Sequence, residues 1–177
     1  MNRSMVDPSG LPDFPSRRAS MSSIFHTRTP LNASAQVMFD FHSDPHNLTE
    51  VMPPTMKLIE LTTAGPAQEG RLIELYCRDW WVIPMRWTCR WKTVQAPHLL
   101  VDEIVKGPFP MFIHEHRFVP DGPRSCVMHD TVNYQWGHSW WGKIISETGV
   151  RMYLIVLFKY RHYRTRKWAQ AHQNIES

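Results

Sequence analysis

The stretch from Ser139 to about His172 constrains the fold most, because it is long, free of proline and amphipathic. Its apolar side chains, with one threonine, recur every three or four residues, which is the period of a helix with one broad buried face. They are Trp140, Trp141, Ile144, Ile145, Thr148, Met152, Ile155, Val156 and Phe158. The large partner available for this face is the strand-rich region between Met56 and Trp136. The sequence therefore predicts a long helix that closes over a sheet.

Segments that alternate in polarity or are rich in strand-forming residues fill that region, separated by Gly, Pro and Asp. They cover residues 57–63, 71–83, 85–94, 99–106, 111–119 and 125–136. A further strand at 24–31 precedes two short helices, at about 35–44 and 46–52. Because the connections are short, consecutive strands should pair antiparallel. The predicted class is α+β, with one strand, two short helices, six strands and the long helix.

Length and composition predict one globular domain, since 177 residues with 42% hydrophobic content can bury a sizeable core. Residues 1–22 are rich in Ser, Pro, Asp and Arg, and we expect a flexible leader there. The domain should cover 23–172, with a tail at 173–177. The longest apolar run of the final helix, 153–158, is far too short to span a bilayer.

Charge and cysteine usage limit the partners. The net charge is +4, and much of it lies in 159–167, where cations complement the C-terminal end of a helix dipole. We expect no nucleic-acid partner, since no binding motif accompanies this charge, while peripheral contact with a membrane stays open. Cys77, Cys89 and Cys126 form no CxxC pair, which favours reduced thiols in a cytoplasmic protein.

Strand parity predicts which side chains face the long helix. Three inward sets result, one on each of three predicted strands. They are Met85, Trp87, Cys89 and Trp91; Phe112, His114, His116 and Phe118; and Met128, Asp130, Val132, Tyr134 and Trp136. Arg151 lies on the apolar stripe of the helix, where an arginine must be paired or solvated. Polar groups that converge in an apolar space are typical of a small-molecule site. The predicted ligand-binding residues are Trp87, Phe112, His114, His116, Asp130, Tyr134 and Arg151.

Several of these segments together resemble the START-like, or SRPBCC, superfamily, and in particular ligand-binding proteins related to polyketide cyclase/dehydrase and coenzyme Q-binding START domains. They are FDFHSDPHN (39–47), Trp87, VDEIVKGPF (101–109), HEHRF (114–118), HDTVNY (129–134) and VRMYLIVLFKYR (150–161). The resemblance covers about 24–171. It implies a helix-grip fold, in which a curved seven-stranded antiparallel sheet wraps a long C-terminal helix around a deep cavity. It also implies binding of lipids, quinones, hormones or polyketides, with cyclisation or dehydration in a minority of members. Ile104 stands where related sequences usually carry Gln.

The polar residues leave three interpretations open. His114 and His116, with Asp130 across from them, suggest a metal site, but no fourth ligand is evident, and we expect neither metal nor cofactor. Asp130 and a histidine could form an acid–base pair, with Tyr134 on a carbonyl and Arg151 on an enolate or carboxylate. A structural network of Arg151 with Asp130 or Glu103 is the third.

The function that the sequence favours is binding of a small hydrophobic or amphipathic molecule in an internal cavity. The alternatives are an enzyme of the cyclase/dehydratase type and a lipid or quinone chaperone. The ligand and the oligomeric state are not encoded in any motif.

Overall fold

A computed structural model of the chain describes residues 22–80, 82–137 and 139–172, without the side chain of Trp140. The predicted leader, apart from Ser22, and the predicted tail at 173–177 lie outside the described residues. Within the described residues, no helix is both long and apolar enough to cross a membrane.

The structure is one antiparallel sheet with helices on one face. The strands are β1 (Ser23–Leu31), β2 (Met56–Thr63), β3 (Leu72–Asp79), β4 (Ile83–Gln95), β5 (Leu99–Lys106), β6 (Met111–Pro120) and β7 (Cys126–Gln135). The helices are α1 (Ala35–Ser43), α2 (Leu48–Val51) after a 3₁₀ turn (Pro45–Asn47), α3 (Trp140–Ile145) and α4 (Arg151–Ala171), with a π-helical turn (Ser146–Val150) between the last two. The sheet order is β1-β7-β6-β5-β4-β3-β2, and every neighbouring pair is antiparallel. The predicted α+β helix-grip architecture is confirmed.

Capping residues set the limits of the first helix. The Ser34 side chain accepts a hydrogen bond from the backbone N–H of Val37 at 3.3 Å, which satisfies one of the free donors at the start of α1. Asp44 ends the helix in an extended conformation, as expected for a residue before proline, and its carboxylate then caps the 3₁₀ turn at His46. The short helices therefore follow β1 where the sequence predicts them.

The β3–β4 hairpin differs from the prediction. The sequence places the break at Pro84, but the connection lies before Ile83, with Trp80 at φ 48°, and Pro84 pairs in register with Arg78. Pairing of β4 with β5 begins only at Thr88. The first residues of β4 are thus unpaired on one side, and a strand tolerates a proline where no ladder hydrogen bond is needed.

The predicted inward faces of the strands are largely confirmed. Cys89 and Trp91 on β4, His114, His116 and Phe118 on β6, and Met128, Asp130, Val132 and Tyr134 on β7 are all buried. Trp136, predicted on the same face, is 37% exposed just beyond the end of β7. Cys77, Cys89 and Cys126 are free and buried, as expected for structural thiols.

The buried face of the long helix keeps Phe158 of the predicted stripe, with Ile155 half-buried, but not the rest of it. Within the described side chains, Trp141, Ile144, Ile145, Met152 and Val156 are exposed, whereas the buried face of α4 consists of Leu154, Phe158, His162, Thr165 and Ala169. The π-helical turn is one reason, because its wider turn shifts the phase between the side chains before it and those after it. The other is that His162 and Thr165, although polar, are buried with hydrogen-bond partners.

A ligand pocket candidate with a histidine–aspartate cluster

A pocket of about 190 Å³ lies between the sheet, the short helices and α4. Its apolar walls come mainly from strands β3 to β6 and from the turn before β6. These side chains include Ile73, Leu75, Trp87, Ile104, Phe109 and Phe112. The helix contributes Leu157, and α1 contributes Phe41. The pocket therefore takes its shape from the concave face of the sheet.

Three aromatic rings pack together in one part of the wall. Phe109 lies against Phe112 with ring centroids 5.2 Å apart, and Trp87 contacts both rings edge-on at 6.3 and 6.4 Å. Phe109 also meets Trp136 at 5.3 Å. Such tilted and edge-on arrangements are the favoured geometry for aromatic pairs.

Asp130 is the centre of a buried polar group that we call the His–Asp cluster, made of Asp102, His114, His116, Asp130 and His162. Asp130 is 0% exposed. His162 Nε2 lies 2.6 Å from Asp130 Oδ2, and His114 Nε2 lies 3.3 Å from Asp130 Oδ1. His116 Nδ1 lies 2.5 Å from Asp130 Oδ1 but is not aligned for a hydrogen bond, so that contact is electrostatic. The carboxylate thus joins β6, β7 and α4.

The cluster keeps Asp130 ionised. Burial alone would raise the pKa of this carboxyl, but the charge interaction with His116 and the contacts with all three imidazoles outweigh it and hold the pKa well below its ordinary value. An ionised carboxylate only accepts hydrogen bonds. His114 and His162 therefore each donate an Nε2 proton to Asp130.

Two histidines of the cluster respond in opposite ways to the same surroundings. Burial would lower the pKa of His114, but its contacts with Asp102 and Asp130 outweigh burial and raise it. Burial and the neighbouring His114 lower the pKa of His116. Asp102 Oδ2 lies 3.5 Å from His114 Nδ1, so this imidazole stands between two carboxylates.

His42 of α1 extends the polar region without carrying charge. Burial, followed by the effect of His116, lowers its pKa to about 3. Its Nδ1 lies 2.8 Å from the carbonyl oxygen of Met38, and its ring lies 4.9 Å from that of His116. Because a carbonyl only accepts, Nδ1 carries the proton, and Nε2 is left as an acceptor.

Arg161 supplies the cation of the pocket. It is half-buried in the pocket lining, with its guanidinium 5.5 Å from the centre of the Phe158 ring. Burial lowers its pKa, while the charges of Asp130 and Asp102 oppose that effect. Among the residues that the structure describes, no carboxylate lies within ion-pair distance of Arg161. Its charge is therefore balanced at longer range and is available to a ligand.

Four of the seven predicted site residues line the pocket, namely Trp87, Phe112, His114 and His116. Asp130 lies behind them as the partner of the histidines. Tyr134 points elsewhere: its hydroxyl donates to Ser146 O at 3.0 Å and fastens the π-helical turn to β7.

The prediction that Arg151 faces the pocket is wrong, and so is its proposed ion pair with Asp130 or Glu103. Arg151 is exposed, and its guanidinium donates to Ile24 O at 3.2 Å. It follows the π-helical turn directly, where the phase of the predicted stripe no longer holds. Glu103 instead pairs with Arg90 and Lys92 on the outer face.

The sequence analysis missed Asp102, Arg161, His162 and His42. It also missed Tyr153, which lines the pocket and donates its hydroxyl to Asp79 Oδ2 at 3.0 Å. A signal for Asp102 was present, because it shares strand parity with Leu100, which is buried, and with Ile104, which lines the pocket. For Arg161 and His162 the signal was their spacing of three and four residues from Phe158. A search for apolar periodicity does not detect this spacing, since both residues are polar.

The family of the chain follows from its sequence. The profile of the family described as polyketide cyclase / dehydrase and lipid transport matches residues 31–161. The chain belongs to this family. The match covers most of the sheet, the short helices and the pocket-lining part of α4, and it confirms the resemblance to the SRPBCC superfamily. Members of this family bind hydrophobic ligands or act as cyclases.

Several solved structures share the fold at low sequence identity. Norcoclaurine synthase from Thalictrum flavum is 15% identical, with a TM-score of 0.65 over 97% of this chain and 100% of that chain. A protein from Arthrobacter aurescens is 14% identical, with a TM-score of 0.62 over 81% and 86%. The Zhui aromatase/cyclase from Streptomyces sp. R1128 is 14% identical, with a TM-score of 0.54 over 64% and 67%. A sequence comparison with curated proteins finds no match.

Proposed function

We propose that this family member binds a small amphipathic molecule in the pocket, with its apolar body against the aromatic wall and its polar end at Asp102, His114, His116 and Arg161. The observation that carries the proposal is the polarity gradient along β6. Phe112, His114 and His116 all line the pocket, and consecutive residues on one face of a strand are roughly 7 Å apart. One strand thus presents an apolar and then a polar surface to the same ligand.

The size of the pocket narrows the ligand class. A dry apolar cavity of roughly 150 Å³ accommodates benzene. At about 190 Å³, with an opening towards solvent beyond it, this pocket suits a body of one or two rings. A cation without a close carboxylate partner favours a ligand whose polar end carries negative charge, such as a carboxylate or an enolate. Ring contacts would supply affinity, and Arg161 would supply orientation.

Filling the pocket is expected to abolish this binding. Leu157→Trp places an indole in the space that the ligand requires, and we expect affinity for 2-naphthoate to fall by about tenfold or more, which corresponds to at least 1.4 kcal/mol. The probe combines a two-ring body with a carboxylate. Isothermal titration calorimetry on the purified protein measures the dissociation constant, and thermal melting checks that the variant is folded.

The matched control is Val156→Trp. Val156 is the preceding residue on α4 and is 65% exposed, so the same indole points to solvent there. Equal affinities of a folded Leu157→Trp variant and of Val156→Trp would place the binding elsewhere and contradict the proposal. A second test looks for the natural ligand. Native mass spectrometry of the freshly purified protein detects a retained organic molecule, and solvent extraction then allows that molecule to be identified.

Catalysis of the cyclase or dehydratase type is a second candidate, and one arrangement favours it. Arg161 can hold the oxygen of an enolate while the imidazoles of His114 and His116 lie on the same pocket wall, beside the reacting carbon. Mass spectrometry measures product formation from a β-polyketone. We expect the His116→Ala variant to lose this activity. Turnover that survives in this variant would contradict the proposed catalytic role of His116.

The cytoplasmic location predicted from the cysteines stays a prediction.

A further inference from the structure

We propose that Asp102, His114 and His116 bind a divalent first-row transition-metal ion at the polar end of the pocket. One donor atom from each residue lies within 4.8 Å of the other two. The sequence analysis set a metal aside because it found no ligand beyond the two histidines and Asp130. The structure adds Asp102, which pairs in register with His114 across β5 and β6.

The distance between Asp102 and His114 fits two ligands of one ion better than it fits a hydrogen bond. Their atoms Oδ2 and Nδ1 are 3.5 Å apart, beyond the usual 2.7–3.2 Å of an N–H···O bond. Zinc binds imidazole nitrogen and carboxylate oxygen at about 2.0–2.2 Å, so neighbouring donors of a tetrahedral site lie roughly 3.4 Å apart. This pair is already at that separation, and one donor atom from each of Asp102, His114 and His116 lies within 4.8 Å of the others.

Asp130 provides the outer support that metal-binding histidines usually have. The ring nitrogen that faces away from a metal commonly donates to a carboxylate, which fixes the tautomer and the orientation of the ring. Asp130 accepts from His114 Nε2 and lies beside His116 Nδ1. The nitrogens left for an ion are His114 Nδ1, which is the one near Asp102, and His116 Nε2. A small rotation of the His116 ring would align its Nδ1 proton with Asp130.

The charges around the cluster also suit a cation. Two carboxylates, Asp102 and Asp130, lie against the imidazoles of the cluster, and Arg161 is the one guanidinium beside them in the described pocket lining. A mixed imidazole and carboxylate set favours ions such as Zn²⁺, Fe²⁺ and Co²⁺ over Mg²⁺ or Ca²⁺. All three ligands line the pocket, so the remaining coordination positions face it. An oxygen of a bound molecule could occupy one of them, beside Arg161.

The test is a titration of tag-free, EDTA-treated protein with ZnCl₂ by isothermal titration calorimetry, in the absence of any organic ligand. His26 and His129 lie side by side on the outer face, with ring centroids 5.7 Å apart, and are a source of adventitious binding. The parent for all measurements is therefore His129→Ala. We expect one Zn²⁺ per chain, a rise in Tm on adding Zn²⁺, and visible d–d absorption when Co²⁺ replaces it.

Asp102→Asn in this parent is the deciding variant, because Asp102 is only half-buried and the imidazoles paired with Asp130 are those of His114, His116 and His162. We expect its affinity for Zn²⁺ to fall by about tenfold or more, with the Tm of the metal-free protein nearly unchanged. Zinc binding far below one per chain, or binding that Asp102→Asn leaves unchanged, would overturn the metal site. Titration of the metal-free protein with 2-naphthoate tests the proposed ligand pocket separately, so failure of one proposal leaves the other standing.

Discussion

Replacing Asp130 by alanine is expected to lower the free energy of unfolding by about 3–5 kcal/mol, the range for breaking a buried charge network from one side. The carboxylate is fully buried and contacts His114, His116 and His162, which come from two different layers of the fold. Without it, the imidazoles lose their common acceptor and keep the cost of desolvation. Urea denaturation followed by circular dichroism measures the change.

Asp121→Ala is the matched control, since it removes an exposed carboxylate from the turn between β6 and β7. We expect this variant to stay within about 0.5 kcal/mol of the parent. Asp130→Asn should fall between the two, because the amide keeps the volume and one acceptor but loses the charge. If Asp130→Ala were as stable as Asp121→Ala, the cluster would contribute nothing to the fold and the assignment of Asp130 as its centre would be wrong.

The fold was predictable because the strands carry a clean two-residue alternation. In β4, for example, Trp87, Cys89 and Trp91 alternate with Arg86, Thr88 and Arg90, and only one register of such a strand buries the apolar set. The short connections then force antiparallel neighbours. The sequence placed the β3–β4 connection at Pro84 and not at Trp80, because a proline indicates a strand break. Pro84 is tolerated within β4 because this end of the strand has no partner on its β5 side.

The face of the long helix was not predictable from hydrophobicity. The exposed Met152 and Val156 are more apolar than the buried His162 and Thr165, so the pattern selected the wrong stripe and brought Arg151 with it. What decides the buried face is a partner on another element, since the buried His162 donates a hydrogen bond to Asp130 on β7. Partners of this kind depend on tertiary structure and leave no periodic signal.

The candidate site was predictable for the strands and not for the helix, for the same reason. His114, His116 and Asp130 all follow from strand parity, and the β6–β7 register of the structure then places Asp130 opposite His116. The cation that completes the pocket lies on α4 within the basic run 159–167, which charge patterning alone assigns to the solvated end of a helix. Arg161 is half-buried because its side of α4 faces the pocket between the helix and the sheet.

Arg161→Met is expected to weaken binding of 2-naphthoate by about 1.5–3 kcal/mol, or roughly 10- to 150-fold, the range for a hydrogen bond to a charged group. Methionine keeps most of the apolar stem of the side chain and removes the guanidinium, which lies 5.5 Å from the centre of the Phe158 ring. Affinity for the neutral analogue naphthalene-2-methanol should change less than about threefold, because its apolar contacts are unchanged. Calorimetric titration of both compounds measures the two effects in the same protein.

Arg151→Met is the control that separates this role from a general effect of charge. Both residues lie on α4, and the two substitutions change the net charge of the protein equally, but Arg151 is exposed and bonded to Ile24 O. The Arg151→Met variant should bind 2-naphthoate and naphthalene-2-methanol with the same affinities as the unsubstituted protein. A loss of naphthoate affinity in Arg151→Met, with Arg161→Met unaffected, would mean that Arg151 binds the carboxylate, as the sequence analysis predicted. Equal small losses in both would mean that the carboxylate is attracted only by the overall positive charge of the helix, and that the pocket selects its ligand by shape.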